Sequence, residues 1–150
     1  MRLERKAAQL KELATVRGLQ RLQAEAAAMR AAVLLDERNA KLNAARQQCD
    51  TDMQAWQESM SANGVRPEIA GLWSQVLLRG EAGLRGAKSD VAAAESERDR
   101  RSAAYHAATM RRDVVDGLAR KARDACARIK DEQVLQDVLD VHATKERRGR

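Results

Sequence analysis

Phenylalanine is absent from this chain of 150 residues, and Trp56, Trp73 and Tyr105 are its only aromatic residues. A buried aromatic removes about 150–250 Å² from water, so a globular core of this length would ordinarily use several. A β-sandwich, a barrel and a doubly wound α/β fold are therefore excluded. Proline occurs once, as Pro67, and glycine eight times, which leaves long stretches without a helix breaker. The two cysteines, Cys49 and Cys126, show no Cys-x-x-Cys spacing and are too few for a disulfide scaffold. The longest apolar run, Ala31–Leu35, falls far short of the ~20 residues that a membrane span needs. The opening MRLERKAAQLKEL lacks an apolar stretch of signal-peptide length. These features predict a cytoplasmic protein with reduced thiols, peripheral to a membrane at most.

What is present instead is 29 Ala, 15 Leu and 33% charged residues, a composition close to that of coiled coils. The predicted fold class is all-α: one long antiparallel two-helix coiled-coil hairpin, whose second helix is longer and overhangs at its C-terminal end. Strong turn chemistry occurs once, in Ser61-Ala-Asn-Gly-Val-Arg-Pro67. There, Asn63 and Gly64 tolerate positive φ, and Pro67 suits the first position of a helix. Helix 1 is expected over about 2–60, the turn over 61–67 and helix 2 over about 68–146. In helix 1, Leu22, Ala26, Met29, Val33 and Ala40 keep alternating 3/4 spacing. Leu42, Ala45, Cys49 and Trp56 continue it on a shifted phase. Helix 2 opens with Ile69, Trp73 and Val76. Its series then runs through Leu84, Ala87, Val91 and Ala94 and, from Tyr105, through Ala108, Val115, Ala119, Ala122, Cys126 and Ile129. Arg98, Arg101 and Arg112 are polar seam positions at which the pairing loosens.

Folding about Gly64 sets Trp56 opposite Trp73, Leu42 opposite Ala87 and Leu10 opposite Ala119. Trp56 and Trp73 would then clamp the hairpin tip. Cys49 falls near Gly80 and Cys126 near Leu3, so no intramolecular bridge is expected. Gly80, Gly83 and Gly86 each cost about 1 kcal/mol against Ala in a helix, which marks a kink or a close-packing point. The first helix runs out opposite residue 128 or so and leaves an overhang. In it, Val134, Leu135, Val138, Leu139 and Val141 share a helical stripe with His142. Asp131, Glu132, Asp137 and Asp140 accompany them, with no Lys or Arg before Lys145. Such a stripe needs a second chain or a fold-back to cover it.

The net charge is +6, from 28 Lys and Arg against 22 Asp and Glu. Much of it is interspersed as i,i+4 pairs that support exposed helix faces: Glu37/Lys41, Glu81/Arg85, Glu97/Arg101, Asp116/Arg120 and Asp124/Arg128. The surplus sorts toward the open end. Arg2, Arg5, Lys6 and Lys11 lie in the first turns. In the second helix Arg98, Arg100, Arg101, Arg111, Arg112, Arg120, Lys121 and Arg123 outnumber Asp99, Asp113 and Asp116. By contrast, Asp50, Asp52, Glu58 and Glu68 surround the turn against Arg66 alone. His106 and His142 have no ligand-spaced neighbours, and no phosphate-binding, nucleophile-elbow or zinc-protease motif is present. The expected protein is no enzyme and has no cofactor, metal or small-molecule substrate. Nucleic acid is disfavoured because the aromatics that stack bases are missing. A nucleic-acid-binding or structural, tethering coiled coil is the alternative reading.

A basic chain of this length, with Ala-rich arms, one short turn and an overhanging second helix, resembles the YscO/FliJ family. These are the HrpO-like stalk proteins of type III secretion and flagellar export. The resemblance covers the whole chain and rests on architecture and charge pattern, not on a motif. It implies a coiled coil like that of a rotary-ATPase γ subunit. One end sits in the secretion ATPase hexamer, the chain reaches toward an export-gate protein, and export chaperones are further partners. By position, the ATPase-facing end would comprise Arg2, Arg5, Lys6, the Val134–Val141 stripe, Arg147 and Arg148, and the acidic turn would face the gate.

Overall fold

The computed structural model describes residues 2–148, without the side chains of Asn63, Glu146, Arg147 and Arg148. Two helices, α1 (Arg2–Asn63) and α2 (Pro67–Arg148), pack antiparallel as a helical hairpin. The connection is shorter than the sequence implies: α1 continues to Asn63, and among the described residues only Gly64, Val65 and Arg66 lie outside a helix. Gly64 adopts φ +67°, the left-handed conformation that ends helices and that only glycine enters without strain. The carbonyl of Arg66 accepts the first bond of α2 from the Ala70 amide at 2.9 Å. Pro67 follows as the first helical residue, where its missing N–H costs nothing, and Glu68 places negative charge in the first turn.

The chain divides into two compact units. In the unit spanning 25–104, the buried cluster is Leu35, Leu42, Val91 and Ala94, with Leu84 and Ala87 packed against it. Leu42 thus meets the level of Ala87, as the turn position requires. Burying Leu35 and Leu42 stabilises the pairing by about 1.5–3 kcal/mol each. Arg38, on the same seam, donates to Asp90 at 3.1 Å across the hairpin. A Cβ built on Gly80 would lie 3.3 Å from the Cys49 Sγ, so the helices approach closely at that level. The helix is continuous through Gly80, Gly83 and Gly86, and the latter two have open space beside them. Close packing therefore belongs to Gly80 alone.

The expected phase of the α1 seam is corrected. Leu22, Met29 and Val33 are 52%, 66% and 57% exposed, and Ala40 is exposed as well. Alternating 3/4 steps that run without a slip through Ala24, Ala28, Ala31, Leu35, Arg38 and Leu42 mark the residues that are buried or half-buried. They continue through Ala45, Cys49 and Asp52 to Trp56 without the expected shift of phase. The small residues have a reason. Register sets Ala28 and Ala31 opposite Arg101 and Arg98, and an alanine leaves room for an arginine stem to lie across the seam. The guanidinium groups then turn to Glu97 and Asp99 on their own helix.

In the unit formed by 1–24 with 105–150, Val115 and Ala119 are buried. Arg21 reaches Tyr105 twice: Nη1 donates to the phenol oxygen at 3.2 Å, and the guanidinium carbon lies 6.0 Å from the ring centroid. Arg17 and Arg112 meet at one level of the seam, where two cations would repel. Arg112 is neutralised by Asp116 at 3.0 Å, and Arg17 donates to Gln20 at 2.9 Å, although its buried Nε has no partner among the described residues. Asp116 therefore pairs with Arg112, not with the expected Arg120. Among the described residues the anticipated Glu37/Lys41 and Asp124/Arg128 pairs do not form either, whereas Glu81/Arg85 and Glu97/Arg101 do.

Candidate functional site

The open end of the hairpin brings the start of α1 against α2 near Lys130. Arg2, Arg5 and Lys6 are all exposed in the first two turns of α1. Glu4, between them, forms an ion pair with Lys130 at 3.2 Å, and this contact pins the helix start to its partner. The Lys130 ammonium, by hydrogen bond and by charge, holds the Glu4 carboxyl below its ordinary value. Leu3, Cys126 and Ile129 line a shallow pocket of about 250 Å³ there, which agrees with the expected placement of Cys126 near Leu3. Both cysteines are free and half-buried.

Beyond Lys130, no helix among the described residues covers α2. All residues from 127 to 145 are exposed, among them Val134, Leu135, Val138, Leu139 and Val141, which keep 51–62% of their surface in solvent. The seam positions that would meet an extended α1 are Gln133, Gln136 and Asp140, and the apolar residues lie on the far side of the helix. The stripe is thus not the unfinished end of the hairpin seam but a face of its own. Arg147 and Arg148 continue α2, and their side chains lie outside the described part of the structure.

A second feature was missed in the sequence. Lys11, Arg112, Arg120 and Arg123 line a groove of about 440 Å³ together with Thr15 and Asp116. This gathers three arginines and a lysine from two helices at one level, a concave basic surface for carboxylate or phosphate groups. The signal was available: the pairing of Leu10 with Ala119 places Lys11 beside these arginines.

Near the turn, Trp56 and Trp73 are both half-buried on the seam. Their rings form no contact with each other, so no stacked pair clamps the tip; the ring contact among the described residues is Tyr105 with His106, centroids 5.7 Å apart. Next to them, Cys49, Met53, Leu77, Gly80 and Leu84 line an apolar groove of about 340 Å³. Among the described residues, no three His, Cys, Asp or Glu side chains come together as a metal cage requires. No helix of the described residues is long and apolar enough to cross a membrane.

Compared with known proteins, the chain matches no family model, no curated protein and no solved structure.

Proposed function

We propose that the protein is a non-enzymatic stalk component of a type III protein secretion apparatus, working as a helical connector between larger assemblies. In this reading the open end docks to the export ATPase hexamer, and the acidic turn faces an export-gate protein or substrate chaperones. The observation that carries it is the uncovered overhang. Five large aliphatic side chains stand in solvent on one face of a stretch whose residues are exposed throughout. Exposed apolar faces rimmed by charge are what partners bury.

Two supports stand beside it. Arg2, Arg5 and Lys6, with the Lys11/Arg112/Arg120/Arg123 groove, give the same unit a basic surface that would steer docking onto an acidic partner. Among the described residues, the pockets beside Leu3 and Cys49 are open grooves, unlike the enclosed sites that catalysis uses.

The test compares wild type with Leu135→Asp/Leu139→Asp in a mixture with the cognate ATPase. Hexamer formation and hydrolysis should rise with wild type and fail to rise with the variant, while helix content by circular dichroism stays the same. An equal response from both proteins would reject the stripe as the ATPase contact. The same basic groove favours a second reading, an anionic polymer as partner. Binding to DNA that persists at physiological salt would support that reading over secretion.

A further inference from the structure

The outer face of α2 carries a second heptad seam, distinct from the one that meets α1. Met110, Val114 and Gly117 form one block of it, and Leu135, Val138 and His142 form another. Between them lie Lys121, Asp124, Arg128 and Asp131. Unbroken alternating steps of three and four residues join all ten, so they follow one line along a coiled coil. That line runs roughly 150° around α2 from the Val115/Ala119 seam, at 100° per residue. The two blocks are open to solvent: Met110 is 70% exposed, Val114 64%, Leu135 61% and Val138 51%. Among the described residues none of the four intervening charges makes an ion pair.

The order of residues along this line is self-complementary. We infer that a second copy of this chain covers it, α2 against α2, in an antiparallel two-fold symmetric coiled coil centred at the level of Cys126. Reversing one copy about that level sets Val114 on Val138 of the second copy, Gly117 on Leu135 and Met110 on His142. The same reversal sets Lys121 on Asp131 and Asp124 on Arg128. Every charged layer meets its opposite sign, and every apolar residue meets an apolar, small or imidazole neighbour. The two-fold axis then makes each pairing twice, as an isologous interface does.

Alternatives fail on the same residues. A parallel pair would set Lys121, Asp124, Arg128 and Asp131 each on its own like charge. Sliding the antiparallel pair by one heptad would bury Asp124 against Leu135 and Lys121 against Val138. Sliding it the other way sets Val114 on Asp131 and Gly117 on Arg128. The charged centre therefore fixes orientation and register, and the flanking aliphatic layers supply the burial. The inference stands without the secretion reading. It bears on that reading because Leu135 and Val138 belong to both surfaces, so a second copy and an ATPase would compete for them.

The test is sedimentation of the full chain at tens of micromolar. Wild type should sediment at twice the 16.6 kDa chain mass. Lys121→Asp alone and Asp131→Lys alone should each shift to the single-chain mass, because each makes two like-charged layers. The double variant Lys121→Asp/Asp131→Lys restores opposite charges in both layers and should return to the dimer. Both sites are exposed, and unchanged circular dichroism confirms that the hairpin stays folded. A wild type that remains a monomer overturns the inference, whichever way a Leu135→Cys thiol then behaves. Slow alkylation would mean that the overhang folds back, and fast alkylation that the face waits for a different protein. A dimer that ignores the single substitutions, or that the double variant does not restore, overturns it equally.

Discussion

Gly80 and Gly83 are three residues apart on α2, yet the same added methyl group meets different surroundings at each. Beside Gly83 and Gly86 there is open space, and beside Gly80 stands the Cys49 thiol. Alanine at either open site should raise stability by up to about 1 kcal/mol through helix propensity alone. Leucine at Gly80 should lower it, because several further atoms must enter a gap already closed to 3.3 Å at the first. Urea unfolding of the three variants checks both signs. A Gly80→Leu protein as stable as wild type would show that the helices do not approach there. The recurrence of glycine every third residue was visible in the sequence. Which glycine serves packing was not, because that depends on the side chain across the seam.

At the scale of the element, α1 shows why a seam of small residues is easy to misplace. Leu22, Met29 and Val33 outweigh their neighbours in hydrophobicity and keep helical spacing among themselves, yet they face solvent. The buried line runs through Ala24, Ala28, Ala31 and Arg38, and nothing local marks these as interior. For Ala28 and Ala31 the reason lies on the partner helix, where the register sets Arg101 and Arg98 opposite them. In α2 the large residues Leu84, Val91 and Val115 do lie on the seam, and there the sequence pattern and the structure coincide. The turn was legible because Gly64 and Pro67 act through their own backbones, and the register followed from its position.

The same elements carry a pH dependence. Arg101 and Arg100 hold the Glu97 carboxyl below its ordinary value of 4.5, as Lys130 does for Glu4. A carboxyl whose pKa is lower folded than unfolded stabilises the fold above its unfolded value. That contribution is lost as pH falls through the folded one. Thermal stability should therefore hold from neutrality to about pH 5 and decline below it. Glu4→Gln and Glu97→Gln should each flatten the decline slightly, since both side chains are solvent-accessible and screened. A decline equally steep in both variants would assign acid sensitivity to other groups.

For the whole molecule, the stability of the hairpin and the contacts of the overhang separate cleanly. Residues 131–145 are exposed throughout and contribute nothing to the seam. A chain ending at Lys130 should therefore unfold at the same temperature as the full chain when both are highly diluted. It should also lose self-association and any response from a partner ATPase. Scanning calorimetry and sedimentation on the two proteins separate these effects. A large loss of melting temperature on truncation would show that the overhang packs against its own hairpin.

Gln133, Gln136 and Asp140 continue the inner seam in polar residues, and this decides how the protein tolerates additions. A helical linker or tag fused ahead of Arg2 would emerge alongside these three side chains and find no aliphatic surface to zip onto. N-terminal fusions should therefore project freely and leave the outer face of α2 open. Fusions at the other terminus would crowd that face. The attachment point for a reporter is thus dictated by three exposed polar side chains.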